Sequence, residues 1–172
     1  MYLPAEDTYL LADCVMQYRG RWALEIGVGS GAVVRALSEN FKNVAGSDID
    51  IDSLKHCRAQ NPGIMLACCD SVCAFRGKFD LIASNPPYLP DDGGKNADAT
   101  VHGGPSGVET TVLFIQSALP LLAQNGRMLM VVSSLADQST LDSIVQEKKL
   151  KKKVIKEKEL FFERLSVIEL TF

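Results

Sequence analysis

Along most of this chain, short apolar runs alternate with longer stretches in which apolar positions recur every third or fourth residue. Arg21–Ile26, Asn43–Ser47, Ile64–Cys69, Phe79–Ser84 and Gly126–Ser133 read as strands. Ala32–Asn40, Ile51–Gln60, a stretch from about Val108 to Ala123, and Ala136–Lys149 read as helices. A leading helix is predicted within Ala5–Tyr18, where Leu10, Leu11, Cys14, Val15 and Tyr18 share one stripe. This alternation predicts an α/β fold of βαβ units, with a mostly parallel sheet covered by helices on both faces. After the last helix, residues 151–158 and 165–172 read as two adjacent strands, with Phe161-Phe162-Glu163-Arg164 between them. They predict an antiparallel hairpin that completes a seven-stranded sheet. Seven lysines lie between Lys148 and Lys158. Lysines on an edge strand block pairing with other chains, and the competing reading is a basic patch for an acidic or RNA-bearing partner.

Composition narrows the class. With 172 residues, 47% hydrophobic and 23% charged, the chain is expected to form one globular domain over 1–172. A net charge of −3 gives no sign of a duplex-binding face. The longest apolar stretch, around Met128–Val132, is too short to span a bilayer, so no membrane partner is expected. The acidic start, Met1 to Asp7, lacks the basic region of a signal peptide, and a cytoplasmic location is the expectation. The five cysteines are Cys14, Cys57, Cys68, Cys69 and Cys73. An odd count without a C-x-x-C pair argues against a disulfide framework or a four-ligand zinc site. His56, Cys57 and the Cys68–Cys73 group are therefore expected to hold no metal, the thiols being buried, reduced and packed as small hydrophobes.

Candidate chemistry enters at the strand ends. Leu24-Glu25-Ile26-Gly27-Val28-Gly29-Ser30-Gly31 lies between a predicted strand and helix. Its glycines let the backbone turn sharply and approach a ligand, and helix N-terminal amides follow at once. Asp48 ends the next strand, where an acidic side chain meets ribose hydroxyls in this topology, and Asp50 is placed to cap the following helix. Gly27-x-Gly29-x-x-Ala32 also fits a dinucleotide fingerprint, so this loop does not choose the cofactor. Three features favour S-adenosylmethionine. Glu25 can face an ammonium group, Asp70 can reach an adenine amino group, and the fourth strand ends in Asn85-Pro86-Pro87-Tyr88. Each has a structural alternative, Glu25 as a partner of Arg21 and Asp70 as a cap.

Proline cannot donate to a sheet ladder and pushes its predecessor into an extended conformation. Pro86 and Pro87 therefore stop the strand and leave the Asn85 amide at the sheet rim. With this motif, the chain resembles the Rossmann-like class I methyltransferases that methylate amino nitrogens. It is most similar to the HemK-related archaeal and eukaryotic glutamine methyltransferases, which act on the Gly-Gly-Gln loop of a class 1 translation release factor. The matching pieces are Tyr2-x-Pro4-Ala5-Glu6-Asp7-Thr8-Tyr9-Leu10-Leu11, Leu24–Gly31, Ser47-Asp48-Ile49-Asp50, Asn85–Tyr88, Gly103-Gly104-x-x-Gly107-x-Glu109, and Leu160-Phe161-Phe162-Glu163-x-Leu165-x-Val167. The resemblance implies a cofactor site of Thr8, Glu25, Gly27, Gly29, Gly31, Asp48, Ile49, Asp70, Ser71 and Asn85. It implies that Asn85, Pro86, Pro87 and Tyr88 present the acceptor. Relatives often carry Trp where this chain has His102. Bacterial relatives have an additional N-terminal helical domain that this chain is expected to lack.

The motif fits several planar nitrogens. A nucleic-acid methyltransferase acting on an adenine or guanine amino group is the nearest rival, and it would need a recognition domain or basic groove. A third reading is a catalytically silent subunit, which the intact Glu25, Asp48, Asp70 and Asn85 oppose. The strand Ile64–Cys69 has no polar alternation and is expected at the sheet edge, where something must cover it. The resemblance implies a small zinc-binding activator protein pairing there.

Overall fold

Both faces of the central strands are apolar, and the fold uses both. The computed structural model describes residues 3–91 and 101–172; Tyr2 of the N-terminal motif lies outside them. The elements in chain order are α1 (Glu6–Val15), β1 (Gly20–Ile26), α2 (Ala32–Ser38), β2 (Phe41–Asp48), α3 (Ile51–Gln60), β3 (Met65–Cys68) and β4 (Phe79–Ser84). Then follow α4 (Glu109–Ala118), β5 (Leu122–Ser133), α5 (Gln138–Glu147), β6 (Lys151–Glu159) and β7 (Arg164–Thr171). The sheet order is β3-β2-β1-β4-β5-β7-β6. The first five strands pair in parallel, and β7 runs antiparallel between β5 and β6. This is the Rossmann-like arrangement the alternation predicts, with the C-terminal hairpin closing it.

Alternate residues of β5 show how the two layers form. Leu129 and Val131 face one core with α1, α2 and α3, while Met128, Met130 and Val132 face a second core with α4 and α5. A strand buried on both faces reads as a continuous apolar run. That is why Met128–Val132 looked unbroken in the sequence.

Two boundaries differ from the periodicity by more than two residues. The helix expected to reach Ala123 ends at Ala118 and passes into a single tight turn at Leu119–Leu121. Pro120 lacks the N–H that an α-helix needs there. Strand β5 then begins at Leu122, four residues early, because the ladder skips from Phe79↔Leu122 to Leu81↔Arg127. Gly126 lies in this bulge, where a Cβ would stand 2.8 Å from the Phe79 carbonyl oxygen. The cysteines also depart from expectation. Cys14 and Cys57 are buried, but Cys68 and Cys73 are exposed. Cys68 lies on β3, and an edge strand has no neighbour to cover its outer side. Among the described residues, no cluster of histidine, cysteine or carboxylate groups could hold a metal.

The lysine run forms the opposite edge, β6. Lys156 and Lys158 reach across to Asp13 and Glu6 of α1, and Lys152 pairs with Asp142 of α5. Further in, Glu169 of β7 is buried, accepting from Tyr18 Oη at 2.9 Å and from Arg127 Nη1 at 2.6 Å. Burial and this bond to Glu169 push the Tyr18 hydroxyl up to about 12. The trio ties the end of α1 to β5 and β7. Glu169→Ala leaves two donors without their acceptor and is expected to destabilise the fold by about 2–3 kcal/mol, measured by urea unfolding. A change within about 0.5 kcal/mol would contradict this role.

Candidate active site

Parallel pairing brings the ends of β1, β2, β3 and β4 to one rim. At the end of β1 the chain turns through Gly27, Gly29 and Gly31, with φ of 76°, 45° and 81°. Side chains rarely tolerate this left-handed region. The turn is tied to β2 by Gly27 N–H and Val28 N–H donating to the Ser47 carbonyl at 2.8 and 3.0 Å. Asp48 holds it from the side, with Oδ2 accepting from Gly29 N–H at 3.0 Å and Oδ1 from Asp50 N–H at 2.9 Å. Asp50 caps α3 by accepting from Asp52 N–H, as the sequence suggests.

A cavity of about 590 Å³ opens over these strand ends, within the range of small-molecule sites, roughly 300–1,000 Å³. Its wall contains Thr8, Glu25, Gly27, Gly29, Asp48, Ile49, Asp70, Ser71 and all of Asn85–Tyr88. Gly31 is the exception among the expected site residues. It does not form the wall but packs on α3, where a Cβ would meet Asn61 Nδ2 at 2.9 Å and Cys57 Sγ at 3.0 Å. Its glycine is required by that close approach, so it shapes the loop from behind.

Three buried side-chain polar atoms among the described residues have no hydrogen-bond partner: Glu25 Oε2, Ser47 Oγ and Asn85 Oδ1. All three residues line the cavity. Buried polar groups are nearly always paired, so an orphaned set converging on one space marks where a ligand supplies the bonds. Glu25 does not pair with Arg21. Burial pushes its carboxyl well above the usual carboxylate range, against the bond from Val34 N–H, and the nearby Asp48 charge pushes the same way as burial. Asp70 stands exposed at the end of β3, while Ser71 is buried with φ of 48° and its hydroxyl 2.6 Å from that of Ser117.

The Asn85–Tyr88 loop is held from three sides. Ser84 Oγ donates to the Ile26 carbonyl at 2.9 Å, fixing the end of β4 to β1. The Gly103–Glu109 segment packs beneath it, backbone against backbone. A Cβ on Gly103 would lie 2.3 Å from the Pro87 carbonyl oxygen, and one on Gly107 2.4 Å from that of Tyr88. Leu89 N–H donates to the Val101 carbonyl and Gly103 N–H to the Leu89 carbonyl, each at 2.9 Å. On the third side, Tyr88 Oη donates to Asp7 Oδ2 at 3.0 Å, and Asp7 Oδ1 accepts from Thr8 N–H at 2.6 Å. His102 forms no part of the cavity wall; its Nδ1 lies 3.2 Å from the Pro90 carbonyl oxygen and 3.8 Å from Asp91.

Sequence reasoning missed Asp7 and Ser47 as site residues, along with Thr110, Leu113 and Phe114, which bring α4 to the wall. Asp7 sits beside Thr8 in the quoted motif, and a buried acid next to a site residue was the available signal. Nothing local marks Leu113 or Phe114, because the cavity face of an amphipathic helix looks like its core face.

The raised Glu25 carboxyl has a consequence for stability. The folded chain binds that proton more tightly than the unfolded chain, so stability falls as pH rises above the usual carboxylate range. Glu25→Gln removes that loss. The variant is expected to melt about 2–4 °C higher than the parent at neutral pH and at the same temperature near pH 4, by thermal scans of the ligand-free protein. An equal or lower melting temperature at neutral pH would contradict the cost assigned to burying this carboxyl.

Comparison with known proteins places this geometry. The family model described as Eco57I restriction-modification methylase matches residues 34–162. A protein of Methanocaldococcus jannaschii that carries the name protein N5-glutamine methyltransferase is 29% identical over 98% of this chain and 90% of its own length. The mouse methyltransferase HEMK2 is 31% identical over 73% of this chain and 68% of its own length. Among solved structures, the E. cuniculi Mtq2–Trm112 complex, described as responsible for methylation of the eRF1 translation termination factor, superposes with a TM-score of 0.81 at 23% identity. It covers 98% of this chain and 96% of that one. The chain belongs to the methylases that the Eco57I model describes and to the HemK-related methyltransferases.

Proposed function

We propose that this enzyme transfers a methyl group from S-adenosylmethionine to the side-chain nitrogen of a glutamine in the Gly-Gly-Gln loop of a class 1 release factor. The observation that carries the reading is the orphaned pair of Asn85 Oδ1 and Glu25 Oε2 in one cavity. The residues present fit the cofactor. Glu25 and Thr8 would hold its ammonium-bearing end, Asp48 its ribose, and Asp70 with Ser71 its adenine, along a wall that Ile49 and Phe114 complete. When bound, it supplies an electrophilic sulfonium methyl.

The chain's own part is to make a poor nucleophile react. An amide nitrogen shares its lone pair with the neighbouring carbonyl. Asn85 Oδ1 and the Pro86 carbonyl can each accept one N–H of the acceptor, holding its nitrogen in one orientation. As that nitrogen gains positive charge, the two oxygens stabilise it in a site shielded from water. Pro86 and Pro87 contribute no N–H that could compete for those oxygens. Tyr88, anchored by Asp7, gives the planar amide a surface to pack on. The same arrangement would accept an amino group on a nucleic-acid base, and the Eco57I likeness favours that second reading.

A partner protein fits the other end of the site. Strand β3 lies at the sheet edge, with Met65 43% exposed and Cys68 exposed. An apolar, unpaired edge is a pairing surface. We assign that edge to the small zinc-binding activator implied by the family resemblance; that a structural relative forms a complex with Trm112 supports a partner protein. Met65→Lys is expected to abolish co-purification with that activator while leaving the fold intact. Undiminished co-purification would move the partner elsewhere.

Methyl transfer tests the whole reading. Labelled S-adenosylmethionine is incubated with the enzyme, the activator and the release factor, beside a factor whose loop glutamine is replaced. Labelling is expected to require that glutamine. Asn85→Ala is expected to lower kcat by about 10²–10³-fold, with cofactor binding weakened far less because Glu25, Asp48 and Asp70 remain. Labelling that persists without the glutamine, or that appears on nucleic acid instead, would overturn the assignment.

A further inference from the structure

The turn between β6 and β7 carries the two most exposed large apolar side chains of the described residues, Phe161 at 91% and Phe162 at 84%. Exposed aromatic pairs of this kind mark interaction sites. The rings stack edge to face, with centroids 4.5 Å apart. The turn beneath them is held firmly. Leu160 N–H donates to the Glu163 carbonyl at 2.8 Å, and Glu163 accepts from Ser133 Oγ at the end of β5. Arg164 N–H donates to Ser134 Oγ, and Ser134 N–H to the Arg164 carbonyl, both at 2.9 Å. Leu160 turns inward onto the core cluster that Tyr88 also packs against. Its two neighbours stand outward from a fixed base.

Their position is on the catalytic rim. Strand β7 runs antiparallel to β5, so its first residues share an end with the last residues of β4 and β5. Ser84 pairs with Met130, whereas Leu165 pairs with Ser133, three residues further along β5. The hairpin therefore projects past the level of Asn85, two strand spacings or about 10 Å to its side. Consecutive residues of α1 bridge the two places, Glu6 bonding Lys158 of the hairpin and Asp7 bonding Tyr88. Leu135, 46% exposed, follows Ser134 on the same rim.

The charge around the turn selects among occupants. Lys158 is paired with Glu6, and Arg164 lies 3.4 Å from Glu157 and 3.7 Å from Glu159. Cations already engaged with carboxylates are poorly placed to neutralise phosphates, which dominate nucleic-acid binding. An apolar knob ringed by balanced charge suits a protein surface.

We propose that Phe161 and Phe162 dock the protein substrate, seating in an apolar hollow of the release factor beside the loop that enters the cavity; this rests on the function proposed above. The contact lies outside the reacting centre, so it sets how tightly the intact factor binds and not the rate of methyl transfer once bound. The test measures steady-state methylation of intact release factor by the enzyme with its activator, using the double variant Phe161→Ser/Phe162→Ser. KM for the factor is expected to rise about tenfold, with kcat and cofactor binding unchanged. Phe161→Leu/Phe162→Leu is expected to restore most of the affinity. A KM within about twofold of the parent would overturn the inference. So would a loss of cofactor binding, or a fall in kcat without a change in KM. Loss of self-association with unchanged KM would make the turn a contact between copies of the chain and overturn it equally. If the parent enzyme does not label the release factor, the proposed acceptor is wrong and this inference falls with it. If it labels the factor and the double variant matches it, only the docking surface is wrong.

Discussion

The parallel pairing of β1 with β2 on one side and β4 on the other is the constraint on which the site depends. It brings Ile26, Ser47 and Ser84 into one row, Ile26↔Ser47 and Ile26↔Ser84. Three parts of the candidate site begin at the next residue: the glycine turn after Ile26, Asp48 after Ser47, and Asn85 after Ser84. The row is locked by bonds that cross it, the turn N–H groups on the Ser47 carbonyl and the Ser84 hydroxyl on the Ile26 carbonyl. A slip of one residue would turn every side chain to the opposite face. Burial on both faces of the central strands is what prevents the slip.

The rim then concentrates polar atoms that the fold alone leaves unsatisfied. Glu25 Oε2, Ser47 Oγ and Asn85 Oδ1 come from three adjacent strands, and each pays a desolvation cost that a ligand relieves. For Glu25 the same burial disfavours the charged carboxylate, a cost that an ammonium group beside it would offset. Asn85 works differently. Its amide oxygen is neutral and oriented by a loop with prolines on one side and packed glycines on the other. Orientation before the substrate arrives is what gives such dipoles their leverage on a developing charge.

Much of this was legible in the sequence because it depends on residue types that do one thing. Gly27, Gly29 and Gly31 announce a left-handed turn, and Pro86 and Pro87 announce a stopped strand. The alternation of strand and helix fixed the layer architecture. The structure placed Gly31 outside the cavity wall, since a glycine needed for packing and one needed for a ligand read alike. The roles of Gly103 and Gly107 as the floor of the Asn85 loop were not legible. They arise from a close approach between segments more than a dozen residues apart. The Asp7–Tyr88 bond, spanning 81 residues, is of the same kind. The early end of α4 was visible in Pro120, but the bulge that starts β5 at Leu122 was not, because Gly126 alone does not reveal a ladder's register.

Localising the transferred methyl group on the release factor, by fragmentation mass spectrometry of the product, tests the central claim most directly. The proposed seating of a planar N–H₂ group on Asn85 Oδ1 and the Pro86 carbonyl predicts a single methyl on the glutamine side-chain nitrogen. A methyl found on a lysine or arginine, or only on a nucleic-acid base, would contradict the acceptor role proposed for Asn85 and the Pro86 carbonyl.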